Sequence, residues 1–342
     1  MNSKTKNTAF EKLKLAPIAI AAATTGMMLA AAPGQAVVTD LDITVTQGGV
    51  EYTDIDNSTV DLEGVPSATG DDAYGISEAN LTDAGMDDSF DDFGGIFVNG
   101  AAFNQPNDEV DLTTTGAGTF VNTISPVNLG GIDTSLDYFM DASSPTLRVF
   151  GTFTNTTANP FSATIAYGGN LGCDSDCTLN DSSTGDTTFE SELDRWFIVS
   201  DEDDIANDDP EDPVLTFVRF GPGGQVASST PFFPGDGDED DDLTDIWNLS
   251  LAPGETQSLM WFVNFNETIA AAQAGTSVFD NLTTLGDAGL LDGLSQTQID
   301  QTANWVPEQQ PPIATTPEPS SLLGLGSFLG LGLLSKVKRK KK

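Results

Sequence analysis

The chain has 342 residues, 52 acidic and 13 basic side chains, no histidine and two cysteines. Four of the lysines lie before residue 15, six basic residues lie after residue 335, and only Arg148, Arg195 and Arg219 stand between. Residues 37–319 therefore carry 51 acids and a formal charge of −48, which excludes nucleic acid as a partner, since phosphate binding runs on Lys and Arg. The missing histidine removes Ser-His-Asp and Cys-His nucleophile pairs and every His-ligated metal site. The missing lysine between Lys14 and Lys336 removes Schiff-base and Ser-Lys chemistry from the body.

The N-terminus opens with Lys4, Lys6, Lys12 and Lys14, followed by an uncharged, mostly apolar run from Leu15 to Ala32. Gly34 and Ala36 hold the −3 and −1 positions of a cleavage before Val37, so 1–36 reads as a secretory signal peptide. An uncleaved membrane anchor is the competing reading. Residues 37–110 are rich in Asp, Gly, Thr and Ser, with short strand-like patches at Ile43–Val45 and Ile96–Val98. Few long apolar stretches occur there, and the segment is expected to be acidic and weakly ordered or β-rich.

From residue 111 the strand signals become regular. Leu147, Val149, Gly151 and Phe153 alternate with Arg148, Phe150, Thr152 and Thr154, and Phe161, Ala163, Ile165 and Tyr167 share the next face. Further strands are expected at 196–200, 214–220, 246–251 and 257–265, the last with Leu259, Trp261, Val263 and Phe265 turned inward after a Pro253-Gly254 turn. Short helices should follow, capped by Asn266 and Ser295. The predicted fold is mainly β: an antiparallel β-sandwich over 111–305 with a short helical C-terminal part.

A Pro-rich linker, 306–319, leads to an uncharged run at 320–335 and a basic end at 336–342. Sixteen helical residues span roughly 24 Å, short of a hydrocarbon core of about 30 Å, a gap that snorkelling lysines and local thinning close. The run is expected to be a transmembrane segment with a cytoplasmic basic tail. Pro317, Glu318 and Pro319, then a Gly/Leu-rich apolar run, then a basic cluster, resemble the PEP-CTERM sorting signal of Gram-negative bacteria. The resemblance covers residues 317–342 alone. It implies recognition of Pro317, Glu318 and Pro319 by an exosortase-like membrane enzyme. It also implies export with transient anchoring in the inner membrane, then release or attachment at the cell surface or to exopolysaccharide.

Cys173 and Cys177, in an exported chain, are expected to form a disulfide. Acidic runs at 87–92, 201–212 and 236–245 are candidate cation loops. In the last, Asp236, Asp238, Asp240 and Asp242 stand at alternate positions, superficially like an EF-hand calcium loop, yet Asp241 and Trp247 stand where such a loop needs Gly and Glu. Calcium is the one cofactor these runs suggest. Asn-x-Ser/Thr triplets at Asn155, Asn248 and Asn281 follow from composition. Trp305, Phe232 and Phe233 are either sugar-stacking or packing residues. No catalytic residue is selected: 51 carboxylates leave paired-carboxylate glycoside hydrolysis open but unplaced. The sequence thus points to a non-enzymatic structural or adhesive module of the cell surface or extracellular matrix. The alternatives are an exopolysaccharide-binding module and a carboxylate-based glycoside hydrolase.

Overall fold

The computed structural model describes residues 34, 36–62, 64–65, 71–173, 177–201, 212–233 and 241–306. The segments expected to be a signal peptide (all but residues 34 and 36), a Pro-rich linker beyond residue 306, a transmembrane segment and a basic tail lie outside the described residues. Among those described, no helix is long and apolar enough to cross a membrane.

Among the described residues, eighteen strands, numbered in chain order, form two antiparallel sheets. The first sheet runs β1 (Val37–Asp40), β7 (Glu109–Thr114), β8 (Gly118–Thr123), β10 (Ile132–Asp141), β11 (Thr146–Asn155), β18 (Thr256–Asn266), β15 (Val214–Val218), β14 (Trp196–Asp201), β13 (Cys177–Ser182), with β9 (Val127–Leu129) beside β10. The second runs β16 (Ser229–Phe232), β17 (Asp242–Leu251), β12 (Phe161–Leu171), β5 (Phe90–Val98), β4 (Ala73–Asn80), β3 (Val50–Val60), β2 (Ile43–Gln47), with β6 (Ala101–Ala102) beside β5.

One apolar core lies between the sheets. Leu147, Val149 and Phe153 of β11 and Leu259, Trp261, Val263 and Phe265 of β18 enter it from one side; Ala163, Ile165 and Tyr167 of β12 enter from the other. A buried Leu- or Phe-sized side chain stabilises by about 1.5–3 kcal/mol, so these alternating positions are sufficient to hold the layers face to face. Strands β11 and β18 are apolar on their other face too. Phe150, Met260 and Phe262 lie beneath Phe279, Leu285, Leu290 and Trp305 of the C-terminal helical segment.

That segment comprises α1 (Ile269–Gly275), a 3₁₀ turn (Thr276–Asp280), α2 (Leu282–Asp287) and α3 (Gln296–Asp300). Ser295 caps α3 in a reciprocal capping box with Gln298. The expected cap at Asn266 moves to Thr268, whose side chain accepts from the Ala271 amide. Asn266 is still the last residue of β18 and pairs with Val214, so the sheet ladder claims it first.

Residue 110 marks no break in the core. Residues 37–110 supply five of the eight strands of the second sheet, and Tyr52, Tyr74, Phe90 and Phe93 from this segment are fully buried with the later strands. Among the described residues, every non-glycine residue with positive φ falls here: Asp42, Asp54, Ser58, Asp88, Asp92, Asn99, Asn107 and Asp108. Asp and Asn tolerate that conformation better than other side chains, so the polar richness of this stretch serves its turns and bulges. A further kink is set by Gly168 and Gly169, where the β12–β5 register shifts. A Cβ on Gly168 would strike the Leu243 carbonyl, and one on Gly169 the Asp92 carbonyl.

Candidate functional site

The outer face of the second sheet carries two rows across three strands. Antiparallel register sets Phe97 of β5 beside Ala166 of β12 and Ile246 of β17. One pleat along, Thr164 lies opposite Asn248, and the Asn99 amide donates to the Thr164 carbonyl at 2.8 Å. The first row is apolar; the second, Asn99–Thr164–Asn248, is polar and uncharged. Val65 and Gly64, from the loop after β3, close one side of a cleft of about 400 Å³ whose lining also includes Gly100.

Asn99 is placed by chain conformation. Asn99 and Gly100 connect β5 to β6 with φ of 53° and 77°, the two positive values that a tight two-residue hairpin turn of type I′ needs. Its Oδ1 accepts from the Thr164 amide at 3.0 Å. Thr164 Oγ1 donates to Asn248 Oδ1 at 3.1 Å, and Gln225 Nε2 donates to the Asn248 carbonyl at 2.7 Å. Each asparagine has thus engaged its acceptor oxygen internally while its NH₂ makes no hydrogen bond within the described residues. Asn99 and Thr164 line the cleft, and Asn248 stands exposed at its edge.

A second cavity, about 570 Å³, is a notch lined by Asp40, Asp42, Asp56 and Asp108 together with Asn57, Ser58 and Asn107. Asn57 is its pivot. Its backbone amide donates to Asp56 Oδ1 at 2.7 Å and its Nδ2 to Asp108 Oδ1 at 2.8 Å. Its Oδ1 accepts from the Gln105 amide at 2.7 Å. Among the described residues, no group of three or more Asp, Glu, Cys or His side chains is arranged to hold a metal ion.

The three arginines of the body are all committed. Arg219 and Asp245, with side chains 2% and 0% exposed, pair between the sheets. Arg148 donates to the carbonyls of Leu290 and Asp292 at 2.6 and 3.0 Å and lies over the Phe139 ring, fastening the helical segment to the first sheet. Arg195 stands 3.7 Å from Asp280 of that segment. Burial lowers the Arg148 guanidinium to about 10, against the pull of Asp137 and Asp292. Burial likewise raises the Asp137 carboxyl to about 6, opposed by the Thr123 amide and by Arg148.

The residues singled out in the sequence are scattered. Pro317, Glu318 and Pro319 lie outside the described residues, as do Asp236, Asp238 and Asp240. Asp242 opens β17, buried, opposite Asn170. Cys173 and Cys177 are joined by a disulfide just after β12. Trp305 and Phe233 are buried in packing clusters. Asn155 is buried and bonds the Asn159 and Leu251 carbonyls, and Asn281 caps α2; of the three triplets, only Asn248 stands beside the cleft, opposite Thr164. The Asn99–Thr164–Asn248 row and the Asn57 notch were not selected from sequence. An Asn-Gly pair between two apolar runs does mark the turn, but nothing local announces its partners 65 and more residues away.

No family model matches the chain, and no curated protein matches it. Three solved structures similar to it are a TPR-domain containing protein from Parabacteroides distasonis (12% identity, 66% of this chain and 47% of that one, TM-score 0.43), a protein assigned as an aldose 1-epimerase from Klebsiella pneumoniae (10% identity, 80% and 86%, TM-score 0.41) and a galactose mutarotase-like protein from Lactobacillus casei (9% identity, 66% and 99%, TM-score 0.37). The chain spans about half the length of the first of these. The expectation that the protein is not an enzyme is corrected here: proteins assigned as an aldose 1-epimerase and as galactose mutarotase-like are among the structures to which the chain is similar.

Proposed function

We propose that this is an exported protein of a bacterial cell surface or extracellular matrix whose β-sandwich holds exopolysaccharide in the cleft on the outer face of its second sheet. The observation that carries the reading is the pair of rows. Phe97 and Ala166, themselves buried, form an apolar floor whose partly exposed members are Val65 and Ile246, and Asn99 and Thr164 line the cleft one pleat away, with Asn248 beside them. A sugar ring has the same division, with C–H faces flanked by hydroxyls. A mostly apolar cleft with a few placed polar groups is the general form of a small-ligand site, and about 400 Å³ lies within the usual range of roughly 300–1,000 Å³. The delivery route is the one its termini suggest: a signal peptide, then processing of the Pro317–Pro319 motif by an exosortase-like enzyme. Two measurements test the reading. Full-length protein should bind polysaccharide from the producing cells, and Asn99→Gly should weaken that binding about tenfold. Deleting residues 317–342 should change the compartment in which the protein collects; an unchanged distribution sinks the sorting half of the proposal.

A second reading attaches to the acidic notch. Asn57 holds Asp56 on one side and Asp108 on the other, and two fixed carboxyls are what glycoside hydrolysis requires, separated by about 5 Å in retaining and up to about 9.5 Å in inverting enzymes. Reducing-end release from polysaccharide that disappears in both Asp56→Asn and Asp108→Asn would establish it; release that survives both substitutions would remove it.

A further inference from the structure

We infer that the cleft selects an uncharged glycan, built of neutral hexose or N-acetylhexosamine units, and turns away polysaccharide bearing uronate, sulfate or phosphate. This rests on the proposal that the cleft holds polysaccharide, and it names the chemical class held.

The first argument is local. None of the described residues that line the cleft is charged, and the donors at its polar edge, Asn99 in the lining and Asn248 beside it, are neutral amides. Asn99 and Asn248 each have their oxygen occupied and their NH₂ unspent, so they give to hydroxyl, ring or acetamido oxygens. A carboxylate or sulfate entering a half-desolvated cleft loses water and needs a cation or several convergent donors in exchange. Two neutral amides do not provide that.

The second argument is the disposition of the arginines. They are the only basic residues between Lys14 and Lys336. Arg219 is locked between the sheets, and Arg148 is buried beneath the helical segment on the first sheet. Arg195, the one with appreciable exposure, faces Asp280 of that same segment. Among the described residues, no basic side chain is left for the outer face of the second sheet. Around the cleft stands a body of formal charge −48, whose field repels an anionic chain over about 10 Å at 0.1 M salt. A neutral glycan meets neither penalty.

The third argument is rigidity. Asn99 is fixed by its turn and by reciprocal bonds with Thr164, and Asn248 is anchored by Thr164 and Gln225. Donors ordered before the ligand arrives cost little further entropy on binding.

The test is a binding titration of the full-length protein with neutral oligosaccharides (glucan and N-acetylglucosamine oligomers) and with oligogalacturonate, at low salt in EDTA and again with millimolar calcium. The expected result is neutral binding indifferent to EDTA, and oligogalacturonate binding seen only when calcium bridges it to the acidic surface. Asn99→Gly keeps the turn's backbone freedom while removing the side chain, and Asn248→Ala removes the other donor. Each should weaken neutral binding about tenfold, the scale of one hydrogen bond, with an unchanged melting transition showing that the variant is folded. Oligogalacturonate binding in EDTA equal to or tighter than neutral binding overturns the inference while leaving glycan binding intact. Neutral binding that ignores both substitutions overturns it by placing the glycan elsewhere. Binding of neither class removes the underlying proposal itself.

Discussion

Arg219, one residue past β15 in the first sheet, and Asp245, within β17 of the second, share a two-pronged ion pair, with Nε to Oδ2 and Nη2 to Oδ1 both at 2.6 Å. Thr230 Oγ1 donates to Asp245 Oδ1 at 2.6 Å, and Arg219 Nη1 donates to the Ser191 and Asp194 carbonyls at 3.0 Å. Phe189 stacks beneath the guanidinium. The pair therefore ties both sheets and the loop before β14 at one point.

Removing one member leaves a buried charge without its partner, which costs about 3–5 kcal/mol. Arg219→Met and Asp245→Leu should each show that loss in chemical denaturation. The double variant should recover most of it, because desolvation of both ions is no longer required. A double variant as unstable as either single one would mean that the Ser191, Asp194 and Thr230 contacts, and not the ion pair, hold the sheets in register.

The helical segment should open before the sandwich does. Asn304, fully buried, donates through Nδ2 to the Arg219 and Met260 carbonyls at 2.8 Å and accepts from the Met260 amide at 2.9 Å. Trp305 Nε1 donates to the Met260 carbonyl at 2.9 Å. Trp305→Ala should cost about 3–5 kcal/mol, and hydrogen exchange should accelerate across 282–305 while amides in the middle of β12 stay protected. Equal acceleration of β12 would show that the segment and the sandwich unfold as one unit.

How much of this was legible from sequence depends on whether a strand keeps an unbroken two-residue period. β11, β12 and β18 do, and their inward residues follow from alternation alone. β3 does not. Its pairing with β4 slips between Asp56 and Val60, and its pairing with β2 slips between Ile43 and Val45, so the apolar positions Val50, Tyr52, Ile55 and Val60 drift off any single period. Positive-φ aspartates read as loop composition when they in fact bend strands. The polar row of the cleft is a product of register between β5, β12 and β17, and the acidic notch joins Asp40, Asp56 and Asp108 from three separate stretches. Neither is encoded within a window that a local pattern can span. The arginines were countable from the start, but only packing reveals that each is spent on a seam.

Breaking the Cys173–Cys177 disulfide should have a small effect. The bridge closes a loop across a sequence separation of 4, and loop-closure entropy for so short a loop amounts to about 2 kcal/mol. Reduction, or a Cys173→Ser/Cys177→Ser double variant, should lower the melting transition by a few degrees without changing glycan binding, since the bridge lies outside the cleft lining. Loss of folding on reduction would show that the bridge constrains more of the sheet edge at β13 than its own loop.

Asp137 supplies a pH dependence whose sign can be worked out. It lies on the outward side of β10 beside Arg148, its Oδ1 accepting from the Thr123 amide at 2.8 Å. Its carboxyl is raised to about 6 in the folded chain, against an unfolded value of about 3.9. The folded state therefore binds this proton more tightly than the unfolded state. Stability from this group rises as pH falls from about 6 to about 4, and at neutral pH the ionised carboxylate is a net cost on the order of 3 kcal/mol. Relief of general acidic repulsion has the same sign, so wild-type behaviour alone cannot assign the effect. Asp137→Asn keeps an oxygen for the Thr123 amide and removes the charge. It should be more stable than wild type at pH 7 and equal to it near pH 4, with the difference vanishing across that window. A carboxyl carbon titration of Asp137 with its midpoint near 4, or a stability difference that does not change between pH 4 and 7, would show that the β10 carboxylate is solvated and that the Arg148 seam carries no proton linkage.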